Sequence, residues 1–342
     1  MRILGLSLLA VIVAASVAAP VVAPYTEDRA FRGLLNAPPT MPHIRDGNGG
    51  WHAPFIYPWP VVSQLEQRYE EDRSAIVPLR WFNGGRLVTS SDDARMPLLL
   101  LGADSYGRDV FSRLLYGGRL SLALAAAAAA GAVLLGGLVG GVAGYGGGML
   151  DDVLMRTSDF IIVLPAMYLA LALRSAMKLV LPPAQVFALL TGIFAVVGAP
   201  FIARGVRAIV RSENRLDYAV AAASLGAGHA RLLFRHLLPA ARGFIGVELT
   251  MLVPAFIVAE ATLSYVGLGF PDPIASWGTM LHDASSIRAF ADFPWLLSPA
   301  AAMFLLVLGL NLVVQHAGVA PVYNDTDGSP RRLRSHPNAF RS

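Results

Sequence analysis

Six stretches of the chain are strongly apolar and close in length to a membrane-spanning helix. They comprise residues 3–23, 120–145, 160–173, 184–202, 244–268 and 295–314. A helix that crosses the roughly 30 Å hydrocarbon layer of a bilayer needs about 20 apolar residues. Only 15% of all residues are charged, against about a quarter in soluble domains. We therefore predict an all-α, polytopic membrane protein with about six transmembrane helices.

The first and third stretches fit this prediction less simply than the others. Residues 1–23 also fit a cleaved signal peptide, because Arg2 precedes the apolar run. That run exceeds the roughly 7–15 residues of a signal core, and Pro20 and Pro24 are a poor cleavage context, so we expect an uncleaved anchor helix. The third stretch is interrupted by Arg174, whose side chain would have to extend to the membrane surface.

Basic residues concentrate in one loop. Residues 203–243 contain seven arginines and two acidic residues, whereas the charges of segment 24–119 cancel. Because Lys and Arg collect in cytoplasmic loops, we expect 203–243 and both termini to be cytoplasmic. The net negative loop 271–293 should lie outside. This orientation also puts loop 144–159 in the cytoplasm. That loop is an exception to the excess of basic residues expected there, because it contains three Asp and one Arg.

The charge pattern divides the chain into four parts. These are an anchor helix (1–23), an extracytoplasmic insert with an interfacial segment between helices 1 and 2 (24–118), a five-helix core (119–316) and a cytoplasmic tail (317–342). The insert is rich in proline and aromatic residues, which are typical of irregular structure. We predict an ordered but irregular insert, with a short helix possible over Val62–Ser74.

A series of glycines recurs every four residues near the second apolar stretch. Its members are Gly136, Gly140, Gly144 and Gly148. This spacing is typical of helices whose backbones approach closely. The alternative is a phosphate-binding loop, which requires GxxxxGK followed by Ser or Thr. The only lysine is Lys178, and no such motif precedes it, so we interpret the glycines as helix packing.

Residues 217–239 combine three local signals. The alanine-rich run Asp217–Ser224 predicts a short helix. Gly226 marks a position where the chain can bend or another backbone can approach. A basic, amphipathic half follows and ends at Leu238-Pro239. The pattern alone fits equally well a connecting hairpin that packs on its own helices.

The same stretch resembles the EAA loop of ABC importer permeases, which has Glu-Ala-Ala, a glycine four positions after the second alanine, and a later Leu-Pro. Val220 stands where the family has glutamate. The resemblance implies that residues 213–240 form short coupling helices in a groove of an ATPase subunit. The residues it places at this contact are Asp217, Ala221, Ala222, Gly226, Arg231, Arg235, Leu238 and Pro239.

Three further stretches resemble the dipeptide, oligopeptide and nickel importer permeases. They are Leu101–Leu122, which contains Gly107-Arg108-Asp109 and Ser112-Arg113, Gly144–Asp159, and Glu260–Gly278. In the first, Ala103 replaces the usual threonine. The resemblance covers about residues 100–316 in the family's order.

The resemblance implies a permease subunit of an ATP-driven importer for peptides or a similar small solute, nickel included. It implies the ABC permease fold, a location in the bacterial plasma (inner) membrane, and four partners: ABC ATPase subunits, a second permease, an extracytoplasmic substrate-binding protein and the lipid bilayer. We expect no catalytic residue, cofactor, metal site or nucleic-acid partner in this chain, because ATP hydrolysis would belong to the partner subunits.

The main alternative is an ion-coupled secondary transporter that uses intramembrane carboxylates. Glu248 and Glu260 are twelve residues apart, which places them about 120° apart around a helix, so they would not form one paired site. Glu260 has either a structural or a gating role. No internal repeat of the kind found in many secondary transporters is present. A membrane hydrolase is disfavoured because GxSxG and HExxH motifs are absent.

Overall fold

The computed structural model describes residues 2–47, 49–64, 66–93, 96–163, 168, 171–172, 175, 181–285 and 291–317. Within this part of the chain, four helices are long and apolar enough to cross a membrane. They are Val110–Gly146, Pro183–Glu213, His229–Tyr265 and Pro294–Val313. The first stretch forms a shorter apolar helix, Ile3–Val17, and half of the third stretch lies outside the described residues. The fold is mostly helical, and the number of spans predicted from sequence stays a prediction.

The α-helices of the described residues lie on both sides of the insert. They are α1 (Arg2–Val17), α2 (Ala19–Val22), α3 (Val110–Gly146), α4 (Gly148–Val163), α5 (Pro183–Glu213), α6 (Asp217–Ser224), α7 (His229–Arg231), α8 (Arg242–Tyr265), α9 (Trp277–Asp283) and α10 (Ser298–Ala317). Between α7 and α8 the helix continues as a π-helix over Leu232–Leu237 and a 3₁₀ turn over Leu238–Ala241. A further 3₁₀ turn, Pro294–Leu297, precedes α10.

The centre of the helical part is the contact between α3 and α5. Small residues dominate the buried face of α3, including Ala125, Ala128 and Ala132, and they let the two backbones approach closely. Larger side chains fill the space toward α8, where Phe194 and Phe256 stack with ring centroids 5.5 Å apart. α3 and α5 therefore form one packed unit.

Strands, rather than irregular chain, organise the insert. A four-stranded antiparallel sheet has the order β1-β2-β5-β6, and β3 and β4 form a separate two-stranded ribbon. The strands are β1 (His43–Arg45), β2 (Trp51–Ile56), β3 (Val61–Ser63), β4 (Arg68–Tyr69), β5 (Val77–Asn83) and β6 (Arg86–Ser90). The all-α prediction is therefore wrong for the insert. Val77 and Leu79 are buried while Pro78 and Arg80 are exposed, which is the two-residue alternation of a strand.

The short helix predicted over Val62–Ser74 is also wrong. Val61 pairs with Tyr69 and Ser63 with Arg68. Gln67 has a φ of 53°, which is incompatible with a continuing right-handed helix. The β-branched Val61 and Val62 favour an extended chain, so a tight turn joins two strands here.

Candidate coupling site

Within the loop between α5 and α8, the short helix α6 ends just before Gly226. This glycine has a φ of 84°, the left-handed conformation in which helices often end. Gly226 N donates to Ala223 O and Ala227 N donates to Ala222 O, both at 3.0 Å, the hydrogen-bond pair of a Schellman motif. A Cβ on Gly226 would meet no atom within 4 Å. Glycine is therefore favoured here by backbone conformation, since nothing in this chain crowds the position.

One face of the loop is exposed. Six of the eight residues that the sequence assigned to an ATPase contact are exposed, and the other two, Ala222 and Leu238, are half-buried. The exposed six are Asp217, Ala221, Gly226, Arg231, Arg235 and Pro239. Leu225, which the sequence analysis did not single out, is 89% exposed at the tip. A large apolar side chain directly before the helix-ending glycine was the signal that could have identified it.

The opposite face of the loop packs on the helical core. Leu232, Leu233 and Leu237 are buried, and the side chains of Leu233 and Leu238 lie beside Gly141 of α3. Small size at Gly141 lets these leucines approach, because a Cβ there would lie 3.2 Å from Leu238 Cδ2. The loop is thus seated against the end of α3.

A hydrogen bond also holds the loop against α3. The hydroxyl of Tyr145, in the last turn of α3, lies 2.5 Å from Nδ1 of His229 at the start of α7. Neither residue was assigned a role from sequence, because a contact across 84 positions has no local signature. Tyr145 and His229 connect the loop directly to α3.

The helix changes pitch immediately after this bond. Leu238 N donates to Leu233 O, five residues earlier, and the chain then tightens into the 3₁₀ turn that contains Pro239. Proline has no N–H and cannot continue the α-helical ladder. Underwound segments of this kind are frequent at functional positions. Leu238-Pro239 therefore sits where the loop passes into α8.

Ion pairs hold α4 against α5 on the same side of the molecule. Asp151 pairs with the guanidinium of Arg207, with one contact at 2.6 Å, and Asp159 pairs with Arg204 at 2.5 Å. The hydrogen bonds from Arg207 hold the pKa of the Asp151 carboxyl below its usual value. Two of the three aspartates that made loop 144–159 an exception in the charge pattern thus have arginine partners.

The glycine series divides into two groups. Gly136, Gly140 and Gly144 face the backbone of α5. A Cβ on these glycines would lie 2.4, 2.3 and 2.6 Å from the carbonyl oxygens of Ala199, Ala203 and Arg207, respectively. The three glycines of α3 and their three partners on α5 both recur every four residues, so the two helices pack along matching four-residue rows. Gly148 is different, because it begins α4 with a φ of 56° and has no neighbour that a Cβ would meet.

Glu260 is fully buried and joins three helices. Ser264 Oγ donates to its Oε1 at 2.7 Å, and Ser121 Oγ of α3 donates to its Oε2 at 2.9 Å. The backbone N–H of Trp277, the first residue of α9, donates to the same Ser121 oxygen at 3.3 Å. Glu248 is half-buried and lies more than three helical turns away. The two carboxylates do not form one site.

Five charged residues form a cluster at the other end of α3, hereafter the Asp–Arg cluster. Its members are Asp104, Arg108, Arg113, Asp272 and Asp283. Arg108 donates to all three carboxylates, at 2.7 Å to Asp104, 3.1 Å to Asp272 and 3.0 Å to Asp283. The cluster therefore ties the segment before α3 to the loop after α8, through Asp272, and to the end of α9, through Asp283.

Arg113 completes the Asp–Arg cluster from inside α3. Its side chain is 1% exposed and lies 3.5 Å from Asp104 and 3.8 Å from Asp283. It also donates to the carbonyl oxygens of Glu27 and Pro273 at 3.2 and 3.1 Å. The sequence marked Arg113 only through a family resemblance, because its partners come from segments about 90 and 160 residues distant.

Asp109 begins α3 beside this cluster. Its Oδ2 accepts from Ser112 N at 2.8 Å and Ser112 Oγ at 2.5 Å, the arrangement of a helix N-cap. Burial raises the pKa of Asp109 to about 7. The capped, buried start of α3 explains why the helix begins about ten residues before its apolar stretch.

No cluster of three or more potential metal ligands occurs among the residues that the structure describes. Three features of the described chain are the candidates for a functional role: the loop 213–240, Glu260 with its serines, and the Asp–Arg cluster.

Comparison with known proteins gives a consistent result. Residues 132–317 match the family model of the binding-protein-dependent transport system inner membrane component. The oligopeptide transport system permease protein OppC of Bacillus subtilis is 37% identical over 213 residues, covering 62% of this chain and 67% of that protein. The dipeptide transport system permease protein DppC of Haemophilus influenzae is 32% identical over 263 residues, covering 76% and 81%.

Further matches name related systems. The glutathione transport system permease protein GsiD of Pectobacterium atrosepticum is 36% identical over 217 residues, covering 62% of this chain and 68% of that protein. Among solved structures, an amino acid ABC transporter and the inward-facing MetNI methionine ABC transporter each match at 19% identity with a TM-score of 0.44. They cover 60% of this chain, and 92% and 95% of the matched chains.

Proposed function

Because this chain belongs to the binding-protein-dependent transport system inner membrane component family, and is a permease subunit of an ABC importer, we propose that ATPase subunits drive it through the loop 213–240. The chain is not an enzyme, since in this family ATP hydrolysis belongs to a separate subunit. As a permease it is a multi-pass protein of the bacterial inner membrane. Its family works with ATPase and substrate-binding partners.

The observation that carries the proposal is the two-sided construction of the loop. One face is exposed, with Leu225 at the tip, and the other is bonded to α3 through Tyr145 and His229. A partner that binds the exposed face and then moves would displace α3 as well. Because α3 and α5 pack backbone to backbone at Gly136, Gly140 and Gly144, the two helices would move together.

This arrangement supports a rigid-body switch. Closure of the ATPase subunits would displace the loop and shift the packed α3–α5 unit between two arrangements of the translocation path. The π-helical segment Leu232–Leu237 would be the part that changes pitch as the loop moves, since α8 begins directly after it. Glu260 would keep α3, α8 and α9 in register, so we assign it a structural role.

We further propose that the transported solutes are peptides. OppC of Bacillus subtilis, DppC of Haemophilus influenzae and GsiD of Pectobacterium atrosepticum are named for oligopeptide, dipeptide and glutathione transport. These names favour short peptides, and none of them favours nickel. No feature of the described residues specifically favours an ion-coupled transporter, since Ser121 and Ser264 enclose Glu260.

The proposed orientation places the loop 213–240 and both termini in the cytoplasm and the insert outside. The arginine excess of residues 203–243 supports it, and so do the internal ion pairs of Asp151 and Asp159. We expect the insert side to face the second permease subunit and the substrate-binding protein.

The test compares two glycines of the loop. Gly226 has a φ of 84°, whereas Gly228 has a φ of −65°, and a Cβ would meet no atom at either position. A left-handed residue with a Cβ costs about 1–2 kcal/mol, so we expect Gly226→Ala to lower uptake of a labelled tripeptide several-fold. Gly226→Asp should abolish uptake, because it adds a charge at the partner contact.

Gly228→Ala is the matched control and should transport normally. Gly226→Asn should be milder than Gly226→Ala, because asparagine tolerates the left-handed conformation. All variants should insert in the membrane at the normal level. Normal uptake by Gly226→Asp at normal expression would overturn the proposed ATPase contact.

A further inference from the structure

The tip of the β5–β6 hairpin is an exposed aromatic and cationic surface. Trp81 is 54% exposed and Phe82 is 78% exposed. Phe82 has a φ of 53°, and the glycines Gly84 and Gly85 continue the turn at 60° and 79°. A bulky residue with positive φ is uncommon, and here it accompanies a side chain that no other part of the described chain covers. The hairpin displays two aromatic rings to its surroundings.

The turn end of this hairpin lies beside the end of the first apolar stretch. β6 packs beside α2, and Arg86 Nη1 donates to the carbonyl oxygen of Ala23 at 2.7 Å. Ala23 is fully buried and packs in one cluster with Leu115 of α3. The hairpin is therefore fixed to the membrane end of α1–α2, and not to a distant part of the insert.

The depth of this contact along α3 can be compared with the bilayer. The uncharged stretch of α3 begins at residue 120, five residues after Leu115, which corresponds to roughly 7 Å at 1.5 Å per residue. The headgroup layer on each side of the hydrocarbon is about 5–8 Å thick. With the hydrocarbon layer beginning at residue 120, this spacing would put Ala23 and the guanidinium of Arg86 at the level of the lipid headgroups.

The residue types at the hairpin tip suit the headgroup level of a bilayer. Tryptophan is enriched at membrane interfaces, where its ring sits among the headgroups, and arginine pairs with phosphate oxygens through its planar donors. Arg80 is exposed, and no acidic residue occurs between Leu79 and Thr89. The segment therefore combines apolar rings with a net positive charge, as phospholipid headgroups above acyl chains require.

We propose that the hairpin tip, residues 80–86, is a membrane-interface anchor that binds phospholipid on the insert side of the bilayer. Trp81 and Phe82 enter the boundary between headgroups and acyl chains, and Arg80 pairs with lipid phosphate. The anchor fixes the tilt of the insert sheet relative to the membrane and so holds the insert beside the entrance of the path.

Trp51 provides an internal control. It is 70% exposed, and the guanidinium of Arg45 lies 4.7 Å from its ring centroid, so it repeats the aromatic–arginine chemistry of the tip. It belongs to β2, which is separated from β6 by β5. We place it in water, away from the bilayer.

The experiment uses the absence of cysteine from the chain. Phe82→Cys, Trp81→Cys and Trp51→Cys each carry a nitroxide label in the assembled transporter, reconstituted in nanodiscs of phosphatidylethanolamine and phosphatidylglycerol. Collision of the label with oxygen, which enriches in lipid, is compared with collision with a water-soluble nickel chelate. Since all three side chains are exposed, the substitutions remove little packing, and peptide uptake verifies the fold.

We expect labels at positions 81 and 82 to show an oxygen-to-nickel collision ratio several-fold higher than the label at position 51. Low, water-like ratios at positions 81 and 82, equal to the ratio at position 51, would overturn the proposal and place the tip in water. Labels at 81 and 82 that are shielded from both oxygen and nickel would also overturn it, because a protein partner would then cover the tip.

Discussion

The two ends of α3 use arginine in opposite ways. At one end, Arg108 and Arg113 are almost completely buried, and their three aspartate partners come from the same chain. At the other end, Arg231 and Arg235 of the loop 213–240 are exposed. A buried charge that is paired internally holds segments together, whereas an exposed charge beside an exposed apolar tip is available to a partner. We infer that the Asp–Arg cluster maintains the structure, and we propose that the loop transmits motion.

The energetic consequences differ accordingly. Removing one partner from a buried ion pair costs about 3–5 kcal/mol, because the remaining charge is left without compensation. Exposed charges contribute about 0–1 kcal/mol to stability. Substitutions in the Asp–Arg cluster should therefore change folding, whereas substitutions in the loop should change transport with little change in folding.

The largest effect is expected for Arg113→Met. This change leaves Asp104 and Asp283 with Arg108 as their one arginine. It should therefore destabilise the protein by about 3 kcal/mol, the lower end of the range for a broken buried pair. Thermal unfolding of the detergent-purified protein, followed by tryptophan fluorescence, measures the loss. Arg68→Met is the control, because Arg68 forms an exposed pair with Glu70 at 3.4 Å and its loss should cost less than about 1 kcal/mol. Equal unfolding temperatures for the two variants would contradict the comparison.

An intermediate effect is expected where α3 contacts α5. Gly140→Ala puts a Cβ 2.3 Å from the carbonyl oxygen of Ala203, so the helices must separate, at a cost of about 1–3 kcal/mol. Gly137→Ala, on the same helix, meets no atom within 4 Å and should be neutral or slightly stabilising. The same unfolding assay distinguishes the two, and a neutral Gly140→Ala would show that the helices are not packed as described.

The smallest effect on stability, and a clear effect on transport, is expected for Tyr145→Phe. It removes only the hydroxyl that bonds His229, a contribution of about 0.5–1.5 kcal/mol. We expect peptide uptake to fall several-fold while the ATPase subunits still co-purify, because the loop would bind its partner but transmit less motion to α3. Tyr106→Phe, on an exposed ring outside the loop, should transport normally. Unchanged uptake in Tyr145→Phe would remove the proposed link between the loop and α3.

The apolar stretches predicted α3, α5, α8 and α10 because membrane helices are specified by length and hydropathy alone. They did not predict where α3 begins. Its first turns contain Ser112 and Arg113, which are polar in sequence and buried in the structure. Their burial depends on Asp109 and on aspartates that follow α8, and no local pattern reveals such partners.

The insert was predicted least accurately for a related reason. Proline and aromatic residues suggested irregular chain, and the run after Val61 suggested a helix, but pairing with distant strands decided the outcome. Phe55 of β2 pairs with Pro78 of β5, a contact across more than 20 residues. In the loop 213–240, by contrast, the signals are local, so Gly226 and Pro239 were identified from sequence. The contact between Tyr145 and His229 joins residues far apart in the sequence, and it was not predicted.

Cross-linking at Leu225 tests most directly whether the exposed tip of the loop is the ATPase contact. Because the chain has no cysteine, Leu225→Cys can carry a single photoactivatable cross-linker in the assembled transporter. Met41→Cys, 69% exposed in the insert, is the matched control. We predict that Leu225→Cys forms a covalent product with the ATPase subunit and that Met41→Cys does not. A transport-competent assembly in which Leu225→Cys forms no such product would contradict the proposal that the ATPase subunits drive this permease through the loop 213–240.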